Sequence, residues 1–342
     1  MKTNPELTIV SVYHSPESRV LLELNYDAVQ ALNKKQNWKW VVADNSPKEL
    51  VPKINAERFT VVGGASVPDF VPQRMRGSYH HALALNNALK EVDSRYLLIL
   101  DNDFFVLQPE WIERALKHMQ ERGLAFFGTA YNPKRFGKYR YFPSTHQFCF
   151  FDLRHVDLAT LDFRPEYLEI QKNRETLDRG IAEPMSTSSL KRELKDFLRL
   201  ALKRLIGGNR LKIGTSRDTG YGIYRRYVQS DLKRECIPPV FKAELEYAAA
   251  PYVYSWVNRV FEAFLPDRLR FFPRDASVYT TKSFKERNYP DALFQGWEEY
   301  VWDGKPYAIH LRRNRWGDAL HERLTVVRTF LESIIGISLA DK

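Results

Sequence analysis

Residues Tyr96–Leu100 form an unbroken apolar run, YLLIL, that stops abruptly at Asp101-Asn102-Asp103. The run is too short to span a membrane and carries no helical stripe, so it predicts a strand buried on both faces of a parallel sheet. Such a strand needs further strands beside it and helices covering the sheet. In sheets of this kind, ligands bind outside the carboxyl ends of the strands. Two carboxylates one residue apart at that edge point to the same side of an extended chain. Hard oxygen ligands so placed suit Mg2+ or Mn2+ carrying a substrate diphosphate. The same letters also fit an ordinary acidic turn after a strand, because D-x-D alone is a short pattern.

The neighbouring segments supply the sheet. Leu7–Tyr13 (LTIVSVY) predicts a first buried strand, ended by His14-Ser15-Pro16. A helix is expected from about Glu17 to Leu32, with Val20, Leu21, Leu24, Ala28, Val29 and Leu32 on one stripe. Trp38–Ala43 and Phe59–Val62 predict two more strands, closed by Asp44-Asn45-Ser46-Pro47 and Gly63-Gly64. Met75–Lys90 predicts a helix led by Gly77-Ser78, with Ala82, Leu85 and Leu89 facing the sheet, and Arg95–Asp101 is the fourth strand. This alternation implies a doubly wound α/β fold. Pro109-Glu110-Trp111 is expected to open a helix running to about Arg122. Leu124–Thr129 and Gln147–Phe151 are further strand candidates, separated by a basic, aromatic loop.

The second half is less regular. Residues 152–189 show little periodicity, and Ile213–Tyr227 (IGTSRDTGYGIYRRY) reads as a loop feeding a helix. Leu190–Ile206 predicts an amphipathic helix with six basic residues on its polar face, ended by Gly207-Gly208. That helix either packs its apolar stripe on the domain or docks on an anionic membrane surface. Residues 240–265 look helical, Tyr307–Leu311 predicts a late strand, and Leu320–Ile335 a final helix. A soft boundary at Pro238-Pro239 divides residues 1–238 from a mostly helical extension, 239–342.

Composition narrows the class. The 44% apolar and 13% aromatic content supports a sizeable core and argues against disorder. No apolar stretch is long enough to cross a bilayer, and no secretory leader is evident, so a cytoplasmic location is expected. Cys149 and Cys236 stand in no ligand spacing, which excludes a disulfide scaffold or zinc site. The formal charge of +10 leaves phosphorylated substrates, an anionic membrane and nucleic acid open. No helix-turn-helix, RNP-like or zinc-finger signature supports the last of these. A nucleotidyltransferase would show a glycine-rich loop with a Lys after the first strand, whereas this chain has HSPESR.

The order TIVSVYHS, WVVADNSP, GSYHHALALNNAL and strand-DND resembles the GT-A nucleotide-sugar glycosyltransferases, in particular the inverting family-two type, over roughly residues 7–152. The resemblance implies a Rossmann-like, mixed but mostly parallel sheet flanked by helices. It implies donor contacts from Tyr13, His14, Asp44, Asn45, Arg76, Ser78, His81, Asn86 and Asn102, with Asp44 at the nucleobase. It further implies Mn2+ or Mg2+ held by Asp101, Asp103 and the late His310 in YAIHLRR. Asp218, in RDTGYGI, matches the position of the family's catalytic base, although the usual acidic pair is reduced here to one Asp after Arg217. Asp218 reads equally as a helix N-cap, and His310 as a core histidine. The activity implied is transfer of a sugar from a nucleotide-diphosphate donor to a glycan or lipid-linked glycan acceptor.

Overall fold

The computed structural model describes residues 4–47, 52–69, 71, 73–130, 142–171, 177–180, 212–217, 219–237, 264, 297–311 and 320–336. In chain order these form β1 (Leu7–Tyr13), α1 (Pro16–Leu32), β2 (Trp38–Asp44), β3 (Phe59–Gly63), α2 (Gln73–Ala88), β4 (Tyr96–Leu100) and β5 (Phe104–Val106). Next come α3 (Trp111–Arg122), β6 (Phe126–Thr129), β7 (Phe148–Asp152), β8 (Glu166–Gln171), β9 (Leu177–Gly180) and β10 (Lys212–Arg217). Then follow α4 (Tyr221–Tyr227), β11 (Arg234–Ile237), β12 (Trp297–Trp302), β13 (Lys305–Leu311) and α5 (Leu320–Ile335). The expected helices at 190–206 and 240–265, the loop around 131–141 and Asp218 lie outside the described residues.

The central sheet has seven strands in the order β11-β6-β7-β4-β1-β2-β3, and β7 alone runs against the others. This is the mixed, mostly parallel sheet flanked by helices that the resemblance implies. Alternation along β4 explains its unbroken apolar run. Leu97 and Ile99 join the core on the α2 and α4 side, with Ala82, Leu85 and Tyr224. Tyr96, Leu98 and Leu100 join the core on the α1 and α3 side, with Leu22, Tyr26, Val29 and Trp111. Where β6 crosses β7, only a glycine fits: a Cβ on Gly128 would sit 2.2 Å from the Phe148 carbonyl oxygen.

Helix starts explain the turns at the sheet's upper edge. Ser15 and Ser18 form a reciprocal capping box on α1, with Pro16 in its first turn. Helix α3 starts differently from expectation. Pro109 lies before the cap, Glu110 takes a left-handed φ of 52°, and no local side chain caps the helix. Asn33, buried at the end of α1, supplies the missing acceptor, with Ile112 N–H donating to its Oδ1 at 3.0 Å. Helix α2 begins earlier than expected, so Gly77 and Ser78 lie inside it, and Leu89–Glu91 continue as a 3-10 turn.

Six strands lie outside the sequence expectations: β5, β8, β9, β10, β11 and β12. Segment 152–189 contributes β8 and β9, which join β10 in an antiparallel sheet of order β10-β8-β9. The third sheet, β12-β13-β5, brings the late strand to the segment after the acidic motif. Its β12–β13 hairpin turns at Asp303 (φ 51°) and Gly304 (φ 70°), the positive pair a tight two-residue turn demands. Strand β13 pairs antiparallel with β5, setting His310 opposite Phe104. Gln108 reinforces the seam, its Nε2 donating to the Pro306 carbonyl at 2.7 Å. The described part of 239–342 thus holds two strands and a helix, and the strands are built onto the segment that leaves the acidic motif.

Candidate active site

Burial forces Asp101-Asn102-Asp103 into a braced turn. The chain leaves β4 with the Asp101 amide bonded to the Gln147 carbonyl at 2.7 Å, and Phe104 N–H closes back on the Asp101 carbonyl at 3.1 Å. Asn25, buried on α1, donates its amide to the Asn102 and Phe104 carbonyls at 3.3 and 2.8 Å. Asn102 donates its own amide to the Val12 and Ser18 carbonyls, both at 3.2 Å. The middle residue of the motif therefore clamps the end of β1 to the start of α1. Its neighbours on either side project where the clamp directs them.

One ligand atom from each of Asp101, Asp103 and His310 falls within 4.8 Å of the others. His310 Nε2 lies 3.3 Å from Asp103 Oδ1. That oxygen is buried, and among the described residues this approach of the imidazole is its one polar contact, so a cation would add the interaction it lacks. Two carboxylate oxygens and an imidazole nitrogen fit Mn2+ or Mg2+, with the remaining positions open to substrate oxygens. The other ring nitrogen, His310 Nδ1, is 2.9 Å from Glu298 Oε2, which also accepts the Tyr300 hydroxyl at 2.9 Å.

The groups perturb one another strongly. Burial, then the adjacent Asp103 carboxylate, push the Asp101 carboxyl up to about 8, against the opposing pull of His310. Burial disfavours charge on His310, yet Asp103 and Glu298 together hold its pKa well above the usual histidine value. Without a cation the buried group thus favours protons on Asp101 and His310, and a divalent ion held there would displace them.

A cleft of about 300 Å³ opens over this group, lined by Val12, His14, Asn45, Gly77, His80, His81, Asp101, Asn102 and Asp103. Of the residues expected at the donor, His14, Asn45, His81 and Asn102 line it. Asn45 is held there by its Nδ2 on the His80 carbonyl (3.0 Å), and a Cβ on Gly64 would come within 2.3 Å of its Oδ1. The others are not among its lining residues. Tyr13 is fully buried in the core. Asp44 caps the turn after β2, accepting from Ser46 N–H at 2.8 Å and from the Ser46 hydroxyl. Arg76 donates to the Val67 carbonyl at 3.4 Å. The Ser78 carbonyl receives the Thr219 hydroxyl at 3.0 Å. Asn86 ties α2 to the segment before β8, donating to Asp162 Oδ1 (2.9 Å) and accepting from Phe163 N–H (3.0 Å).

Asp218 lies outside the described residues, but the two residues after it are firmly seated. Thr219 bonds to α2 as above, and Gly220 N–H donates to the Phe163 carbonyl at 2.7 Å. At φ +76°, with Thr145 Oγ1 2.0 Å from any added Cβ, position 220 requires glycine.

Two participants escaped the sequence reading. His80 lines the cleft; burial, then His14 and Arg76, lower its pKa. Glu298 is buried behind His310. Its strand could have been found from Asp303-Gly304, a hairpin signal placed just before the expected strand at Tyr307.

The family model described as Glycosyl transferase family 2 matches residues 8–180, half of the 342-residue chain. Among solved structures, the chain is similar to S. aureus TarS 1–349, at 12% identity and TM-score 0.33, covering 46% of this chain and 50% of that one. It is similar also to the mannosyltransferase PcManGT from Pyrobaculum calidifontis, in complex with GDP-Man and Mn2+ (14%, 0.31, covering 47% and 48%). A third is the galactosyltransferase LgtC in complex with donor and acceptor sugar analogs (14%, 0.30, covering 45% and 62%). The chain thus spans about half the length of the first two. Comparison with curated proteins returned no match.

Proposed function

We infer the reaction from one premise: this chain belongs to glycosyl transferase family 2. We propose that it moves a sugar from a nucleotide-diphosphate donor to an acceptor hydroxyl with inversion at the anomeric carbon. The observation that carries this reading is the Asp101, Asp103 and His310 group, whose two carboxylates line the cleft and whose ligand atoms lie within 4.8 Å of one another. These three residues would hold Mn2+ or Mg2+, whose chemistry when bound is Lewis-acid neutralisation of the leaving diphosphate. His14, Asn45, His80 and His81 share the cleft and would orient the donor. Asp44, with Asn45, would hold the nucleobase end. Asp218 would take the proton from the acceptor hydroxyl as general base. Direct displacement needs no protein nucleophile, and both cysteines are buried. Residues 1–238 would form the catalytic unit, and 239–342 an extension that returns His310 to it.

A panel of nucleotide sugars, incubated with Mn2+ or Mg2+, tests this reading. The expected result is release of nucleoside diphosphate from one or a few donors, and a product of opposite anomeric configuration by NMR. Release of pyrophosphate would indicate a nucleotidyltransferase instead. Absence of both turnover and nucleotide-induced thermal stabilisation would indicate a scaffold and overturn the proposal.

The acceptor is proposed to be a glycan or lipid-linked glycan of a surface polysaccharide or glycolipid. Among the described residues, no helix is long and apolar enough to cross a membrane. Segment 190–206, with six basic against two acidic residues, would reach such an acceptor from an anionic membrane surface. At about 1 kcal/mol per effective charge, that excess gives roughly 4 kcal/mol of attraction. Co-sedimentation with anionic vesicles at low salt is expected, with loss in a Lys195→Glu/Arg199→Glu/Lys203→Glu protein. A wild type left in the supernatant would place the stripe against the protein itself.

A further inference from the structure

We propose that Glu298 is a positioning residue that selects the His310 tautomer and aims its Nε2 at the cation shared with Asp101 and Asp103. This inference rests on the metal-centre reading above and adds to it a residue from a strand distant in sequence. Glu298 and His310 are direct cross-strand partners on β12 and β13. The pair is buried, and Glu298 Oε2 lies 2.9 Å from His310 Nδ1. A carboxylate only accepts hydrogen bonds, so Nδ1 must carry the proton that joins them. That leaves Nε2, the nitrogen beside Asp103, as the one that would give up its proton and turn its lone pair to a bound cation.

Without Glu298, the imidazole could place its proton on Nε2 and donate to Asp103. That hydrogen bond would occupy both the nitrogen and the oxygen a cation needs. The Tyr300 hydroxyl donates to the same Glu298 oxygen at 2.9 Å and keeps the carboxylate in place. Pairing of β13 with β5 fixes the ring's backbone opposite Phe104, so the residual freedom is ring orientation and tautomer. Outer partners of this kind typically govern about 10- to 100-fold in metal affinity.

Mn2+ titration of the full chain, followed by calorimetry without donor, tests the inference in wild type, Glu298→Gln, His310→Ala and the double variant. Glu298→Gln is expected to weaken Mn2+ binding about 10- to 100-fold. His310→Ala should weaken it at least as much, and the double variant no further than His310→Ala alone. Unchanged affinity in Glu298→Gln beside a weakened His310→Ala overturns the positioning role and leaves the metal centre standing. Unchanged affinity in His310→Ala overturns the metal-centre reading itself. Additive losses in the double variant show that Glu298 acts through the fold and overturn the inference. A measurement free of variants guards against misfolding: long-range 15N–1H spectra of the wild type with Mg2+ should show His310 protonated at Nδ1 alone. An Nε2–H tautomer there overturns the proposal.

Discussion

Replacing Asp103 with Ala is expected to lower kcat/KM for sugar transfer by about three orders of magnitude or more. A bound cation contributes several kcal/mol to stabilising charge on a departing phosphoryl oxygen, and each 1.36 kcal/mol is about one decade of rate. Asp103 offers a buried oxygen 3.3 Å from His310 Nε2. Its removal takes a ligand atom from the group. Chelation of the wild type should reproduce the loss, and added Mn2+ should restore the wild type but not the variant. Melting curves should show that the variant remains folded. Full activity in Asp103→Ala would remove the motif from the chemistry and leave it as an acidic turn braced by Asn25 and Asn102.

Asp218→Asn should lower kcat by about 10²- to 10⁴-fold while leaving the donor's KM within about twofold. The amide keeps the shape of the side chain but cannot accept the acceptor's proton, so only the step that needs a base suffers. The next residue, Thr219, is bonded to Ser78 on α2, the helix whose Gly77, His80 and His81 line the cleft. The RDTG segment thus begins its helix against the wall of the candidate site. Steady-state kinetics together with isothermal nucleotide binding separate the two readings of Asp218. Equal loss of donor affinity and of thermal stability would identify a structural role, the cap position of the helix itself being Gly220.

What the sequence determined was the interior of the main sheet and the place of two residues of the candidate site. Strands β1, β2 and β4 are buried on both faces, so their apolar runs need no tertiary information to be recognised. Acidic residues that interrupt such a run mark the sheet's ligand-binding edge, which is why Asp101 and Asp103 were legible. Strands β5 and β11 are too short to show a pattern, and β12 carries Glu298 and Glu299 where a strand would be expected to stay apolar. They are strands because partners far along the chain supply their hydrogen bonds, as β13 does for β5. The same non-local pairing decided the roles of individual polar residues. Asn86 is bonded to Asp162, and Asn102, which lines the cleft, is bonded to Val12 and Ser18. Glu298 became visible only when the hairpin set it opposite His310. Local sequence carries the periodicity of burial. Which buried polar group meets which partner depends on long-range register, and only the tertiary structure contains that.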